Sequence, residues 1–371
     1  MIIKSLTLTN FRNYDLLDLS NIDKKRILFI GDNAQGKTNI LEAIYILSFG
    51  NSYRKGKESD LIKFGHNECA LFCELDTVLS TKKISLLIRK NSQKSIKIDG
   101  NVIKKTSDLV GNLKIVFFNV EDLNLIKGAP SDRRAFIDKV LSQIHEGYYY
   151  QLQVYNKLLQ QKNITLKSLK DLSNKDHSLL DILDEEIAEI SSKIYFNRIS
   201  FINEILEFIN NFHSKISGLD EKVDIKYEFS IPNLDFRNNL KEQILKYIEN
   251  NRFKEIMRGQ SLYGPHRDDI TFYINSNDAK IFSSQGQQRT LVLALKLSEI
   301  KYINKKTKQL PILLLDDVMA ELDNNRQNNL LELIGNDTQT FITTTHLEDF
   351  SKDWLNDTLI LKVSNGNVCL N

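Results

Sequence analysis

The chain has 371 residues, more than the roughly 250 to 300 at which a single hydrophobic core stops growing, so we expect two lobes. Apolar residues make up 41% and charged residues 26%, a balance typical of a folded globular protein that disfavours intrinsic disorder. The net charge of +2 neither indicates nor excludes a nucleic-acid partner.

The first 120 residues mostly alternate between apolar and polar side chains, as β-strands do. The segments IIKSLTLTNF, LLDLS and RILFIG predict strands, and GKTNILEAIYILSF, which follows them, has helical spacing. Cys69 and Cys73 fall on one face of the strand predicted at ECALFCELD, so we interpret them as core residues rather than zinc ligands. Asp99 and Gly100 carry the Asp-Gly signal of a hairpin turn.

Helical patterns dominate from about residue 128. Ser131 is the predicted N-cap of the first of these helices, with Asp132 in its first turn. Between Leu180 and Ile216 apolar residues recur at threes and fours, which predicts one long amphipathic helix or two in tandem. We favour a helical subdomain packed on itself over a short coiled-coil pair, because the repeat does not continue through clean heptads.

Patterns of an α/β protein return after Arg258. DITFYIN, PILLLDD and QTFITTTH predict strands, and QQRTLVLALKLSEIKYI predicts an apolar helix. The predicted fold is α/β, with mixed sheets and flanking helices in a discontinuous lobe (1–127 and 253–371) interrupted by a mainly helical lobe (128–252). The opening MIIKSLTLTNF lacks the layout of a signal peptide, and no apolar run approaches the roughly 18 residues of a membrane helix. We therefore expect a cytoplasmic protein without a membrane segment.

The octapeptide GDNAQGKT matches the phosphate-binding pattern GxxxxGK(S/T) at every required position. It follows a predicted strand and opens a predicted helix, which is the context that such a loop requires. Lys37 is expected to reach the β- and γ-phosphates of ATP, and the Thr38 hydroxyl to bind Mg²⁺. The remaining residues of the loop are predicted to surround the phosphates with backbone N–H groups: Gly31, Asp32, Asn33, Ala34, Gln35 and Gly36.

Two acidic residues end the apolar strand PILLLDD. Asp316 emerges at the carboxyl end of this strand, where open α/β sheets place their ligands, so we predict that it holds Mg²⁺. Asp317 points to the other side of the strand and is predicted to polarise the attacking water.

The polar segment SSQGQQRT stands immediately before an apolar helix. The hydroxyl of Ser284 and the backbone N–H of Gly286 lie at the predicted helix N-terminus and are suited to a γ-phosphate. The phosphate loop already has its own helix for that purpose. We therefore predict that this segment is half a site, completed by Lys37 of another copy of the chain.

Taken in order, the phosphate loop, SQGQQ, LLLDD, AELD and TTTH form the motif series of the ABC-type ATPases, and the glutamine-rich segment resembles the signature of their SMC-like branch. KGAPSDRRAFID, LYGPHRDDI, SQGQQRT and LTLTNFRNY are similar to segments of the RecF family of bacterial DNA replication and repair proteins. This resemblance runs from end to end and is thinnest between about Val140 and Arg252.

The resemblance implies an ATPase head that binds ATP and Mg²⁺ and closes into an ATP-dependent head-to-head homodimer. Asp316 would be the magnesium acid, and Asp317 stands where most ABC ATPases have a glutamate, which implies slow hydrolysis. Residues with an implied catalytic part are Lys37, Asp317, Ser284 and His346, the last of which resembles a switch histidine.

Further nucleotide contacts are implied outside the loop. Asp323 in AELD resembles the D-loop, which crosses the dimer interface in this class, and Asn39 starts the helix as in the SMC-like branch. Arg12 matches an arginine that reaches the nucleotide phosphates, and Gln287 belongs to the signature. Asn119 and Glu121 occupy the implied magnesium-linked loop that joins the lobes, with Glu121 as the candidate metal ligand.

DNA is the partner that the resemblance implies, and a local excess of positive charge supports it. Between residues 82 and 105 Asp99 is the only acid, and eight bases surround it: Lys82, Lys83, Arg89, Lys90, Lys94, Lys97, Lys104 and Lys105. Phosphate contacts without sequence readout and a merely solvated face are both open interpretations of this stretch. Arg133 and Arg134 are further candidates.

Similarity to the family also implies the partners RecR and RecO and a part in loading a recombinase at gapped DNA. Two other classes share some of these motifs. A transporter ATPase has the same series, but its signature usually contains Ser-Gly-Gly-Gln. A small-molecule kinase uses the phosphate loop alone and has no use for SQGQQ, AELD and a distant histidine together.

Overall fold

The computed structural model describes residues 1–171, 177–348 and 350–370. They form two compact units, one of Met1–Asp122, Asn211–Leu219 and Arg289–Asn371, the other of Leu123–Asn210 and Asp220–Gln288. The second unit continues past the predicted lobe boundary at residue 252, because strand Asp269–Ile274 pairs with strand Val223–Glu228 within it.

The strands are β1 (Ile2–Phe11), β2 (Tyr14–Leu19), β3 (Arg26–Ile30), β4 (Glu68–Asp76), β5 (Thr81–Arg89), β6 (Ser92–Ile98), β7 (Asn101–Ile103), β8 (Ile115–Asn119), β9 (Val223–Glu228), β10 (Asp269–Ile274), β11 (Asn277–Asp278), β12 (Ile312–Asp316), β13 (Thr340–Thr344), β14 (Thr358–Ser364) and β15 (Asn367–Leu370). The α-helices are α1 (Lys37–Phe49), α2 (Asn124–Lys127), α3 (Pro130–Ile144), α4 (Tyr148–Asp171), α5 (Ser178–Ser217), α6 (Leu240–Arg258), α7 (Ala279–Phe282), α8 (Gln285–Thr307), α9 (Asn324–Ile334) and α10 (Lys352–Asn356).

The first unit contains two six-stranded sheets. One is antiparallel, in the order β2-β1-β4-β5-β6-β7, and the other runs β15-β14-β3-β13-β12-β8 and is parallel except for the β14–β15 pair. The inner strands β12 and β13 are buried along their whole length, which is typical of a parallel sheet covered on both faces. In the antiparallel sheet Cys69 and Cys73 lie on the buried face of β4, as predicted, and burial raises the pKa of each thiol to about 12.

Helix α1 packs against strands of both sheets. It is apolar on nearly every face, with Ile40, Ile44 and Leu47 fully buried. A helix enclosed in this way has a fixed N-terminus, and the phosphate loop leads directly into it. The apolar sequence of α1 therefore positions the loop.

The second unit combines long helices with the three-stranded antiparallel sheet β11-β10-β9. Helix α5 is a single helix of 40 residues, so the tandem alternative is wrong. The side chain of Lys162 on α4 lies between Asp184 on α5 and Glu255 on α6, at 2.8 and 2.6 Å, and all three are buried. This shared ion cluster joins three helices, as in a subdomain packed on itself.

The start of α3 differs from the prediction. The helix begins at Pro130, with Ala129 as its N-cap, rather than after Ser131. Proline is favoured at the first helical position because its φ is already helical and its missing N–H would have no partner there. The Ala129 N–H instead donates to Asp132 Oδ2 at 2.9 Å. Across the described residues, each helix is too short or too polar to cross a bilayer.

Candidate nucleotide-binding site

Four parallel strands of the first unit end at one edge of the sheet. In the strand register Ile30 pairs with Thr344, and Asp316 lies between Thr343 and Asn119. The phosphate loop therefore leaves the sheet beside the end of β13, and Asp316 and Asn119 end the next two strands. Most of the residues of the first unit that were predicted to bind ATP or Mg²⁺ lie at this edge.

The loop from Gly31 to Gly36 has a backbone that requires its glycines. Gly36 has a φ of 116°, in the region that favours glycine, and a Cβ on Gly31 would lie 2.2 Å from the carbonyl oxygen of Val363. The turn after β1 supports the loop, because Asn13 Nδ2 donates to the Gln35 carbonyl at 2.9 Å and the Tyr14 hydroxyl donates to the Gly36 carbonyl at 3.0 Å.

Lys37 is folded into the loop. Its ammonium donates to the carbonyls of Gly31 and Asp32 at 2.6 and 2.9 Å, and the residue is only 4% exposed. Burial lowers the pKa of Lys37, while the carboxylates of Asp317 and Asp316 act to raise it. The charge thus lies inside the loop that is predicted to surround the phosphates.

Thr38 and Asp316 meet as predicted for a magnesium site. The Thr38 hydroxyl donates to Asp316 Oδ1 at 2.9 Å, and the Thr343 hydroxyl donates to the same oxygen at 2.8 Å. Burial raises the pKa of Asp316, and these hydroxyls lower it. A hydroxyl and a carboxylate side by side form an oxygen donor set that fits Mg²⁺. Sequence reasoning assigned no role to Thr343, although it is the first residue of the TTTH motif.

Asp317 turns away from the strand in a left-handed conformation, with a φ of 53°. Its N–H donates to the Thr343 hydroxyl at 3.0 Å, so one threonine fixes both acids. Aspartate adopts this conformation more readily than most residues other than glycine, and residues held in it cluster at functional sites.

Arg12 is held by a carboxylate, Glu42, that sequence reasoning did not identify. Its Nε and Nη2 donate to the two oxygens of Glu42 at 2.9 and 2.6 Å. Arg54, also missed, lies 3.4 Å from Glu42 and donates to Asn39 Oδ1 at 3.0 Å. Glu42 could have been noticed as the only acid in an apolar helix, whereas nothing in the segment NSYRKGK distinguishes Arg54.

Asn39 does not start the helix as the resemblance implied. Helix α1 begins at Lys37, and Asn39 lies in its first turn, where its Nδ2 donates to Asn13 Oδ1 at 2.8 Å. Asn13 also binds the Gln35 carbonyl, so this asparagine pair joins the turn after β1 to the last part of the loop and to the first turn of α1.

The two acids in the loop after β8 differ in their exposure and their contacts. Glu121 is exposed, whereas Asp122 accepts the Asn119 N–H at 2.8 Å and lies 3.4 Å from the ammonium of Lys296 on α8. Asn119 itself is the strand neighbour of Asp316. Of the residues predicted in this loop, the structure brings Asn119 to the magnesium acid.

Asp323 and His346 follow the strands of the same sheet and are exposed. Asp323 caps α9 by accepting the Arg326 N–H at 3.0 Å, and this backbone hydrogen bond lowers the pKa of its carboxyl. The N–H of His346 donates to the Thr344 hydroxyl at 3.2 Å, two residues past the end of the site strand β13.

The signature segment lies in the second unit and is organised by its own helix. Ser284 and Gln287 form a reciprocal capping box at the start of α8: Ser284 N–H donates to Gln287 Oε1 at 2.9 Å, and Gln287 N–H donates to the Ser284 hydroxyl at 3.2 Å. The Gln287 amide also donates to Glu221 at 2.8 Å. The N–H groups of Gln285 and Gly286, at the first two helical positions, have no acceptor within a helix. N–H groups at such a helix start are suited to an anion.

The predicted basic residues divide into two groups. Lys83, Arg89 and Lys94 pair with acids on neighbouring strands and turns, Glu74, Glu68 and Glu58, and Lys82 donates to Asn112. Four other lysines are exposed, on β6 or in the segments that follow β5 and β7: Lys97, Lys90, Lys104 and Lys105.

Arg133 and Arg134 are engaged inside the second unit. Arg133 is buried and donates to both oxygens of Asp269, at 2.8 and 2.9 Å, and Arg134 donates to the Asp268 carbonyl at 2.6 Å. Two guanidiniums bound in this way are poor candidates for contacts with DNA phosphates.

The chain is similar to known proteins over nearly its whole length. The model of the family described as RecF/RecN/SMC N terminal domain matches residues 2–367. The chain is 40% identical over 375 residues to DNA replication and repair protein RecF of Macrococcus caseolyticus, and 42% identical over 372 residues to that of Lachnospira eligens. These alignments cover 99% or more of each chain.

A solved structure of the recombination mediator protein RecF with ATP, in the RecFOR pathway, superimposes with a TM-score of 0.91 at 34% identity. The match covers 100% of this chain and 97% of the other. The predicted fold, an ABC-type ATPase head of the SMC-like branch, is confirmed by these matches. They do not support the transporter alternative.

Proposed function

Because this chain belongs to the RecF family, whose relatives are DNA replication and repair proteins, we propose that it is an ATP-dependent DNA-binding protein of recombinational repair. The proposal includes an ATP-driven head-to-head homodimer that acts as a clamp or loader of a recombinase at gapped DNA. It also includes slow, DNA-associated hydrolysis of ATP to ADP and phosphate.

The observation that carries the proposal is the junction of the phosphate loop with the magnesium acid. Lys37 lies within the loop, and the Thr38 hydroxyl is bound to Asp316. Mg²⁺ bound there would neutralise charge on the β- and γ-phosphates. Lys37 stabilises the same charge, and the loop N–H groups orient the phosphates.

Asp317 is the proposed base that orients the attacking water. It follows the magnesium acid directly and is fixed by its N–H bond to Thr343. An aspartate is one methylene shorter than the glutamate usual at this position of ABC ATPases, so its carboxylate lies further from the water. We infer slow turnover from this difference.

The dimer is proposed from the signature. Helix α8 presents N–H groups at Gln285 and Gly286 that suit a γ-phosphate, but the loop before α1 already provides a helix N-terminus for the phosphates. In the proposed dimer the signature of one copy, with Asp323 and His346 at the same interface, completes the site of Lys37 in the other copy.

DNA and the pathway proteins are the proposed partners. Four exposed lysines on β6 or in the segments that follow β5 and β7, Lys90, Lys97, Lys104 and Lys105, are suited to phosphate contacts without sequence readout. RecR and RecO are proposed because the similar RecF structure is described within the RecFOR pathway.

The test is ATP-dependent association. We expect that wild-type chains dimerise on adding Mg²⁺ and ATP, and bind gapped DNA more tightly in that state, as measured by light scattering and by fluorescence anisotropy. Lys37→Met is expected to abolish ATP binding and both responses. Dimerisation of Lys37→Met with ATP to the wild-type extent would refute the proposal.

A further inference from the structure

Glu42 is a carboxylate without exposed surface in the middle of α1. A buried carboxylate is costly unless it is paired and hydrogen-bonded, so a sequence keeps one in an apolar helix only where its partners compensate for it. Neither the phosphate loop nor the magnesium site uses this residue directly.

Glu42 accepts hydrogen bonds from two side chains and forms an ion pair with a third. Arg12 donates through Nε and Nη2 to both carboxylate oxygens, at 2.9 and 2.6 Å. The Ser52 hydroxyl donates to Oε1 at 2.5 Å, and Arg54 Nη1 lies 3.4 Å from Oε2. The two-point contact of Arg12 is the geometry that fixes a guanidinium plane most firmly.

The group that Glu42 orients lies beside the phosphate loop. Arg12 belongs to the turn whose next two residues hold the loop, through Asn13 to the Gln35 carbonyl and Tyr14 to the Gly36 carbonyl. Arg12 also has a φ of 54°, and its N–H donates to the Leu61 carbonyl at 2.8 Å. Backbone and side chain are therefore both fixed.

The guanidinium keeps donors for an anion. Its Nη1 donates to the Asp60 carbonyl at 2.9 Å, so Glu42 and Asp60 together take three N–H groups of the five that a guanidinium has. The remaining two belong to Nη1 and Nη2 at the end of the fork. That end can bind a phosphate while Glu42 still holds the side.

Arg54 places a second positive charge beside Glu42. Two guanidiniums around one carboxylate leave a net charge of +1 next to the loop. Because Arg54 donates to Asn39 in the first turn of α1, the cluster is also joined to the helix that follows the loop.

We propose that Glu42 is a positioning residue for nucleotide binding, which orients Arg12 so that the end of its guanidinium faces the polyphosphate of ATP. This inference rests on the proposed function, because it requires ATP in the loop. Glu42 touches no nucleotide itself and acts through Arg12.

The test is a set of dissociation constants for ATP, ADP and AMP with Mg²⁺, measured by calorimetry on the full chain. Glu42→Gln keeps the shape and removes the charge, and we expect it to weaken ATP binding about tenfold or more, from the strength of a charged hydrogen bond. The loss should be smaller for ADP and smallest for AMP. Arg12→Gln should weaken ATP binding to the same extent. The double variant should bind ATP little more weakly than either single variant, because the two residues act as one unit.

Glu255→Gln is the matched control, because Glu255 is an equally buried carboxylate paired with Lys162 in the second unit. It should leave the three dissociation constants unchanged. Arg12→Lys covers the case in which Glu42→Gln does not fold: Arg12 is partly exposed, and lysine lacks the fork that binds Glu42 and a phosphate together. It should weaken ATP binding as Arg12→Gln does.

Several results would overturn the inference. They are tighter or unchanged ATP binding in Glu42→Gln, an equal loss for all three nucleotides, additive losses in the double variant, or wild-type affinity in Arg12→Lys. Lys37→Met separates this from a failure of the proposed function: if that variant binds ATP normally, the loop is not the nucleotide site. If Lys37→Met loses ATP while Glu42→Gln keeps it, only the part assigned to Glu42 is wrong.

Discussion

His266 gives the second unit a stability that depends on pH. Its Nδ1 lies 2.6 Å from the hydroxyl of Tyr155, and burial lowers its pKa to about 3. In a neutral ring whose Nε2–H faces the Ser261 carbonyl, 3.5 Å away, Nδ1 is the acceptor for that hydroxyl, and burial disfavours the protonated ring. In the unfolded chain the same imidazole titrates near 6.5.

The sign follows from these two pKa values. Between about pH 6.5 and 3 the unfolded chain binds a proton that the folded chain refuses, so stability falls as the pH falls through this window and is complete above it. One proton is worth about 1.4 kcal/mol per pH unit, and because the unfolded chain binds only about half a proton at pH 6.5, the average over the next two units is about 1 kcal/mol per unit. From pH 6.5 to 4.5 the loss due to His266 is therefore about 2 kcal/mol.

The perturbation is His266→Asn, which keeps an acceptor near Nδ1 but does not titrate. We expect the wild-type free energy of unfolding in urea to fall by about 2 kcal/mol more than that of the variant between pH 6.5 and 4.5. Other titrating groups cancel in this difference. A difference between wild type and His266→Asn that is independent of pH would refute the reasoning.

Three further predictions concern the magnesium site, the proposed dimer and DNA binding. Thr343→Val removes a donor to Asp316 and an acceptor for the Asp317 N–H, so we expect a loss of about 2 to 4 kcal/mol in stability and weaker Mg²⁺-dependent ATP binding, seen in Mg²⁺ titrations. In a 1:1 mixture of Lys37→Met and Ser284→Arg chains, random pairing makes about half the dimers mixed, each with one complete site, so about a quarter of wild-type ATPase activity should return. Changing Lys97 and Lys104 to glutamine should weaken DNA binding at all sequences and lower the salt slope by about 2, as measured by anisotropy at several salt concentrations.

Each of these has a control and a contrary outcome. Thr340→Val removes one neutral hydrogen bond from the same buried strand and should leave Mg²⁺ dependence intact. No recovery of ATPase at any mixing ratio would show that each chain carries a complete site. Lys83→Gln removes a lysine that already pairs with Glu74, so it should lower the salt slope of DNA binding less than Lys97→Gln or Lys104→Gln does. An equal effect of the three changes would contradict the division of the basic residues into two groups.

The parts of the site that were predictable lie in contiguous motifs. The phosphate loop, the acid after β12 and the signature each place their residues within one turn or strand end, where local backbone geometry dictates the spacing. The capping box of Ser284 and Gln287 is of the same kind, since its two residues are three apart. Such features follow from the sequence without knowledge of the tertiary fold.

The parts that were missed depend on contacts between distant residues. Arg12 and Glu42 are 30 positions apart, and Asp316 and Thr343 are 27 apart on neighbouring strands. Their pairing follows from the strand order of the sheets and the burial of α1, which local patterns do not specify. The helix start at Pro130 was missed for a different reason, because a serine with an acid beside it resembled a cap more than an alanine did.

The segment LYGPHRDDI shows why resemblance alone does not assign a function to a residue. Its polar groups are engaged within the second unit: His266 binds Tyr155, Asp268 accepts from Tyr227 and Ser230, and Asp269 holds Arg133.

Glu42 and Glu255 show that burial and pairing alone do not assign a function to a carboxylate either. Both are fully buried carboxylates with cationic partners, so burial and pairing alone would assign them the same role. The partner of Glu255 is Lys162, which is itself buried between two carboxylates and has no surface to offer a ligand. The partner of Glu42 is Arg12, which remains partly exposed in the turn that supports the phosphate loop. A buried acid therefore serves binding only where the cation it holds can still reach a ligand, and this condition separates the two residues.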